Sequence, residues 1–421
     1  MPLLYDLGIR AYQAGIRLVA AWNPKARAWV EGRKAMWQRL EEAAPKLQGC
    51  LWMHCASVGE FEQGRPVLEA IKAQRPELPV LLTFFSPSGY EARKHEPLAT
   101  HVDYLPPDSR ANAERLLLLV KPAAAVFVKY EFWYHQLQAL RRHNVPVFLI
   151  AALFRRDQPF FRWYGSAWRS MLGCFRRIFT QDEASFKLLE RLGLKHAEVS
   201  GDPRFDRVAA IAANNEELPL ARAFAGNGPV LVCGSTWPQD EEIIAGALRG
   251  MAADAPKCIA VPHELHAAQL AAIERGFPKP LARWGELEQS PVKSVAAMLG
   301  AGQHGTLLVD RMGLLARLYR YGQVAYIGGG FTDGIHSVLE AAAWGVPVIV
   351  GPRHKKFPEV QGLIDAGAGQ EVRNAAELQA ALGRWLEDHR ALGKASEAAA
   401  RYVKDRKGGA GRVASAVLAA M

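Results

Sequence analysis

Acidic residues that follow short apolar runs are the first place to look for chemistry in this sequence. Leu51–Ala56 is one such run, and Ser57-Val58-Gly59-Glu60 follows it, opening a helix that carries Gly64-Arg65-Pro66. Ser-x-x-Glu is the pattern of a capping box, in which the two side chains satisfy each other's orphan amides. The same carboxylate, at a strand-end loop, is placed to take a proton from an attacking hydroxyl. The helix dipole is then expected to keep it ionised. On local spacing alone the cap is the stronger reading. A second acid, Glu131, follows the run Ala123–Val128 within Lys129-Tyr130-Glu131-Phe132-Trp133-Tyr134. Pairing with Lys129 and service as an active-site acid weigh equally there.

The stretch Leu153–Arg177 sets Arg155, Arg156, Arg162, Arg169, Arg176 and Arg177 against a single acid, Asp157. Phe154, Phe160, Phe161, Trp163, Tyr164, Trp168 and Phe175 are interleaved with them. A solvated basic face over core aromatics is the plain interpretation. A surface for anionic lipid or lipid phosphates fits as well. Single-stranded nucleic acid is a third possibility, but no RNP-like, zinc-finger or helix-turn-helix pattern accompanies the stretch, so no nucleic-acid partner is expected.

Later loops differ in kind. Gly234-Ser235-Thr236, Pro262-His263-Glu264 and Asp310-Arg311-Met312-Gly313-Leu314 each end an apolar run. The last such loop, Gly328–Glu340, begins with three glycines and runs toward a helix, where backbone amides can hold a phosphate. Glu340 is placed to accept hydrogen bonds from ribose hydroxyls. The glycines match neither a P-loop nor G-x-G-x-x-G. His263 and His266 stand outside any H-E-x-x-H frame, so no metal site is expected.

These loops need a scaffold. Leu51–Ala56, Pro79–Phe84, Ala123–Val128, Val145–Ala151, Arg177–Thr180 and Ala197–Ser200 read as buried strands, with helices such as Glu62–Gln74, Ser109–Val120 and Glu183–Arg191 between them. A second set comprises Pro229–Gly234, Lys257–Val261, Thr306–Val309, Gln323–Ile327 and Val346–Val350, with helices Asp240–Met251, His266–Glu274, Gly334–Ala343 and Ala376–Glu387. Repeated strand–helix–strand predicts α/β architecture: two Rossmann-like domains with parallel sheets, joined near residue 215 and facing across a cleft at the strands' carboxyl ends. The expected division is an N-terminal helical segment at 1–45, Rossmann-like domains at 46–215 and 216–390, and C-terminal helices at 391–421. The last are interrupted at Gly408–Gly409 and Gly411.

Composition agrees. A chain of 421 residues, half hydrophobic and 22% charged, suits a two-domain globular enzyme. Five cysteines, an odd number without a C-x-x-C pair, read as buried thiols of a reducing compartment. A net charge of +10 favours anionic partners. No segment reaches the roughly 18 uncharged apolar residues of a spanning helix. At the N-terminus, Leu4, Leu7, Ala11, Leu18 and Trp22 fall near one face of an amphipathic helix, with Arg10 and Arg17 off it. Such a helix suits a membrane interface or packing against its own domain.

Taken in order, the loops resemble those of the Kdo transferases, which attach 3-deoxy-D-manno-octulosonic acid (Kdo) to the lipid A precursor. His54–Glu60 with Gly64-Arg65-Pro66 is similar to the family's S-[VL]-G-E element, and Leu82–Tyr90 to its next strand and loop. Glu131-Phe132-Trp133 resembles its E-L-W, and Ser200–Asp206 its G-[ND]-x-[KR]-F-D. Asp310–Leu314, His336–Ala341 and Gly351–Phe357 continue the likeness. The resemblance implies a GT-B fold and an inverting glycosyltransferase with no metal and no cofactor, working at the cytoplasmic face of the bacterial inner membrane, peripherally or through an N-terminal anchor. It implies CMP-Kdo as donor, lipid IVA or a related lipid A precursor as acceptor, and an anionic membrane surface as partner. By position, Glu60 becomes the base, and Glu131 and Arg204 stabilise the transition state. Pro262, His263, Met312, Gly313, Leu314, Ser337, Val338, Leu339 and Glu340 hold CMP. The sequence departs from the family at His263 (often arginine), Leu314 (often glutamate), Arg204 (often lysine), and Ile335 and Ser337 within the usual G-G-H-N. A GT-B enzyme using a UDP-sugar and a non-catalytic anionic-lipid-binding protein are the alternatives.

Overall fold

A computed structural model describes residues 2–214, 216–288, 305–332 and 334–421. The expected joint near residue 215 and Asp333 of the glycine-rich loop lie outside the described residues. The chain divides into two compact units, Met1–Asp206 with Lys407–Met421, and Arg207–Arg406.

Unit 1 is a seven-stranded sheet of β1 (Leu51–Cys55), β2 (Val80–Phe84), β3 (His101–Tyr104), β4 (Ala124–Val128), β5 (Val147–Ala152), β6 (Arg177–Thr180) and β7 (Ala197–Val199), in the order β3-β2-β1-β4-β5-β6-β7. Every pairing is parallel. β1, β2, β4 and β5 are buried along their full length, which is why they read as continuous apolar runs. One face packs Met36, Leu40, Leu116 and Leu140. The other packs Phe61, Leu68 and Ile71, together with Val413 and Val417 of the C-terminal helix Gly409–Leu418. Asp206 fastens that helix, accepting from the amides of Gly408 (2.6 Å) and Ala410 (3.1 Å). The segment from 391 onward is thus shared: His389–Lys404 stays with unit 2 up to Arg406, and the last helix returns to unit 1.

Unit 2 repeats the plan with β8 (Val230–Thr236), β9 (Lys257–Pro262), β10 (Leu281–Arg283), β11 (Thr306–Leu308), β12 (Val324–Ile327), β13 (Val348–Val350) and β14 (Gly369–Glu371), in the order β10-β11-β9-β8-β12-β13-β14, again parallel. Three of these strands were not expected from the sequence: β3, which carries His101 and Asp103, and the three-residue strands β10 and β14. The helix expected over Gly334–Ala343 begins only at Leu339. Gly334 has φ +143°, outside the helical range, and a Cβ there would lie 3.0 Å from the Phe357 ring.

The helix Pro2–Val19 opens unit 1. Leu4, Leu7, Leu18 and Trp22 are exposed. Tyr5 and Asp6 face inward: the Tyr5 hydroxyl donates to Asp108, and Asp6 pairs with His135. Among the described residues, no helix is long and apolar enough to cross a membrane. All five cysteines are buried free thiols.

Candidate functional site

In unit 1 the strand order turns between β1 and β4, which lie side by side in register. Loops leaving adjacent carboxyl ends at such a switch point form the ligand crevice of a doubly wound sheet. Glu60 sits in the first turn of the helix Val58–Gln74 that follows β1, and Glu131 sits on the loop after β4.

Glu60 makes its half of the expected capping box. One carboxylate oxygen accepts from the amides of Ser57 at 3.2 Å and Ala56 at 2.6 Å. The helix dipole is not the only influence on its ionisation. Burial first, then the neighbouring Glu131 charge, raise its pKa above the ordinary 4.5, against the opposing effects of the Ala56 amide, His54 and Lys129. Removing water from a carboxylate disfavours its charged form. A raised pKa also makes it a stronger proton acceptor, as a general base requires.

Glu131 is buried, and its partner is His54 rather than Lys129. His54 Nε2 lies 2.8 Å from Glu131 Oε2, and the Trp133 indole N–H donates to the same oxygen at 2.6 Å. His54 Nδ1 is held by the Thr83 hydroxyl at 2.9 Å, and that hydroxyl accepts from the Trp52 indole N–H at 2.9 Å. The anchor therefore runs through β1 and β2 to the loop after β4. His54, Thr83 and Trp133 were given no role in the sequence. Lys129 takes a left-handed turn at φ +70°, and its pKa is lowered by burial and then by the nearby Arg204 charge. Arg204 itself clamps Asp202, with Nε and Nη2 2.8 and 2.7 Å from one carboxylate oxygen. Unit 1 thus links these charges in a chain: Glu131 and Lys129 both act on Glu60, and Arg204 acts on Lys129.

Unit 2 is arranged differently. Its switch point lies between β8 and β12, and Pro262 ends β9, paired with Thr236 after a register shift that follows Gly234. Three rings from separate loops form a stack: Trp237 on His263 at 4.7 Å and 28°, and His263 on His336 at 4.3 Å and 27°. Burial, and then the neighbouring His263, lower the His336 pKa to about 4, so this imidazole is neutral at pH 7. The Trp237 indole N–H accordingly donates to its Nε2 at 3.3 Å.

The three glycines serve close packing rather than an open phosphate cradle. A Cβ on Gly328 would meet Ser235 O at 2.2 Å, and one on Gly330 would meet Gly351 Cα at 2.5 Å. The Gly328 amide donates to Gly234 O at 2.9 Å. The Gly329 amide donates to the buried carboxylate of Asp240 at 2.9 Å, which also accepts from the Trp237 amide and the Tyr326 hydroxyl. Among the expected nucleotide contacts, Val338 and Leu339 have buried side chains, so only their backbones are available. Ser337 and Met312 are exposed, Gly313 has φ +84°, and Leu314 is half-buried. Burial raises the Glu340 pKa, and the Arg207 charge opposes the rise.

Comparison with known proteins follows the same lines. A family model described as 3-deoxy-D-manno-octulosonic-acid transferase (kdotransferase) matches residues 18–207. The 3-deoxy-D-manno-octulosonic acid transferase of Aquifex aeolicus is 29% identical over 80% of this chain and 86% of its own length. That of Bordetella pertussis is 27% identical over 88% of each. Among solved structures, the UDP-GlcNAc 2-epimerase of Neisseria meningitidis shares the fold at 15% identity and TM-score 0.57, covering 88% of this chain and 98% of that one. A UDP-N-acetylglucosamine 2-epimerase from Listeria monocytogenes does so at 16% identity and TM-score 0.55, covering 89% and 95%. The architecture is GT-B, and over most of its length the chain is similar to the Kdo transferases, a family of glycosyltransferases.

Proposed function

We propose that the chain transfers Kdo from CMP-Kdo to lipid IVA, a step of lipopolysaccharide biosynthesis, with inversion at the anomeric carbon and without metal or cofactor. An acceptor hydroxyl oxygen attacks the anomeric carbon, and the bond from that carbon to the CMP phosphate oxygen breaks. CMP departs with the bonding electrons. Glu60 takes the hydroxyl proton, while Glu131 and Arg204 stabilise the charges that develop. Pro262, His263, Met312–Leu314 and Ser337–Glu340 hold CMP, with Trp237 and His336 supporting the His263 ring. The Glu60 carboxylate carries this reading, being set beside Glu131 at the β1/β4 switch point with its pKa raised by burial. The reaction belongs at the cytoplasmic face of the inner membrane, approached through the exposed residues of helix Pro2–Val19 and the arginine-rich segment.

Thermal shifts with CMP and UDP test the donor, because only a ligand of the folded state raises the melting temperature. CMP is expected to stabilise the protein and UDP to do so far less. The reverse order moves the chain to a UDP-sugar donor.

A further inference from the structure

Unit 1 contains a cavity of about 520 Å³ that no step of the proposed reaction uses. Leu4, Tyr5, Phe132, Phe160, Trp168 and Met171 line it, so nearly every surface offered is a hydrocarbon or ring face. The volume lies within the roughly 300–1,000 Å³ of ligand-sized pockets. Its position is fixed from three sides. Tyr5 is held by its hydrogen bond to Asp108 and by ring contact with Tyr134 at 5.5 Å. Phe132 packs on Phe160 at 4.7 Å. The loop after β4 supplies the third wall, and its residues alternate: Tyr130, Phe132 and Tyr134 line the cavity, while Glu131 and Trp133 turn to His54.

Two further features bear on the occupant. Beyond Phe154, which contacts Phe160 at 5.7 Å, lies a second pocket of about 350 Å³ whose walls include Arg155, Arg156, Lys187 and Arg191. An apolar cavity next to a four-cation pocket matches an amphiphile with an alkyl chain and an anionic head. In addition, Leu4 belongs both to the cavity wall and to the exposed row with Leu7, Leu18 and Trp22. A chain entering beside that row exchanges one apolar surround for another.

We propose that this cavity receives one acyl chain of the phosphorylated lipid acceptor, anchoring it on the opposite side of the loop that carries Glu131. The inference rests on the lipid acceptor named above. Its consequence is positional: a chain seated here limits how far the attacking hydroxyl can wander from Glu60, which converts chain burial into orientation. Each methylene removed from water is worth about fourfold in affinity, so the cavity should discriminate strongly by chain length.

The test uses the full-length protein, in detergent-free buffer for binding. Calorimetry with dodecyl phosphate and butyl phosphate reads the chain separately from the head. Wild type is expected to bind the dodecyl ester at least tenfold more tightly, and replacing Ala167, which also lines the cavity, by the larger indole in Ala167→Trp is expected to erase that preference. Equal affinities in wild type, or a preference that survives in Ala167→Trp, overturn the proposal. Should Ala167→Trp fail to fold, Trp168→Ala enlarges the same cavity and is expected to shift the preference toward hexadecyl phosphate; an unchanged order overturns the proposal equally. Kinetics then identify the source of the chain. Ala167→Trp is expected to raise KM for lipid IVA at least tenfold while leaving kcat/KM for its deacylated disaccharide unchanged. An equal loss on both acceptors shows that the substitution acts independently of the chain and overturns the acceptor's claim to the cavity. If wild type uses both acceptors and Ala167→Trp alters neither KM, the cavity proposal fails alone. If wild type transfers to neither, the proposed reaction fails, and the acceptor chain with it.

Discussion

The two units share one plan, seven parallel strands with a single turn in strand order, yet their switch points are furnished in opposite ways. In unit 1 the loops after β1 and β4 bring ionisable side chains together, and a buried histidine fixes one of the carboxylates. In unit 2 the loops after β8, β9 and β12 bring rings and glycine backbone together, and the ionisable groups there are silenced: His336 is neutral, and Asp240 is spent on the Gly329 and Trp237 amides. The same topology therefore carries two different sets of loop chemistry. A sheet edge determines where loops emerge; the loop residues decide whether the place suits proton transfer or the holding of a flat, charged ligand.

Substitutions that act on one unit and spare the other would sharpen this contrast, and those that act on both alike would break it. The largest effect is expected at Glu60. Glu60→Gln should lower kcat by about 10²–10⁴-fold, the ordinary weight of a general base, with KM for the donor unchanged. A parallel rise in donor KM would blur the division of labour. His54→Ala comes next. It leaves the buried Glu131 carboxylate without its imidazole partner, so about 1–3 kcal/mol of stability should be lost, as read by chemical denaturation. Glutamine at the same position keeps a donor and should recover part of both stability and kcat. Trp237→Ala removes the outer ring of the stack and should act the other way round, raising donor KM by about tenfold, the lower range of a lost base or ring stack, with little change in kcat.

Smaller, but more diagnostic, is the effect of pH. The Glu60 pKa is raised in the folded protein, so the native state holds this proton to higher pH than the unfolded chain does. Stability contributed at this position is therefore greatest below the unfolded value and declines as pH rises through the folded one. Relative to Glu60→Gln, wild type should lose stability across that interval while gaining activity, since only the ionised carboxylate accepts a proton. His336 has the opposite sign. Its pKa is lowered to about 4, so the stability linked to its neutral ring is present above the ordinary 6.5 and fades as pH falls toward 4. His336→Gln should flatten that acid-side decline without moving the Glu60 limb.

Parts of this arrangement were legible in the sequence, and the reasons are local. Glu60 and Glu131 follow strands buried on both faces, whose unbroken apolar runs are hard to mistake. β3 was hidden because His101 and Asp103 interrupt its pattern; both are satisfied within the fold, with Asp103 paired to Arg39. β14 is a half-buried edge strand without an apolar run. His54 went unassigned because its partner stands 77 positions away, and no local spacing reveals that a buried polar residue will meet a carboxylate. The late start of the helix at Leu339 turns on the backbone of Gly334 and the close approach of Phe357. Three of the arginine-rich segment's seven aromatics proved to be core: Phe154, Phe160 and Phe175 are buried, whereas Trp163 and Tyr164 are exposed.

The most direct test of the central claim is the mass of the product formed when lipid IVA and CMP-Kdo are incubated with wild type and with Glu60→Gln. Wild type is predicted to add whole Kdo residues to lipid IVA with release of CMP, while the variant, folded and still stabilised by CMP, yields at most about a hundredth as much in the same time. An unchanged lipid IVA mass with wild type, or equal product from the variant, would contradict the account.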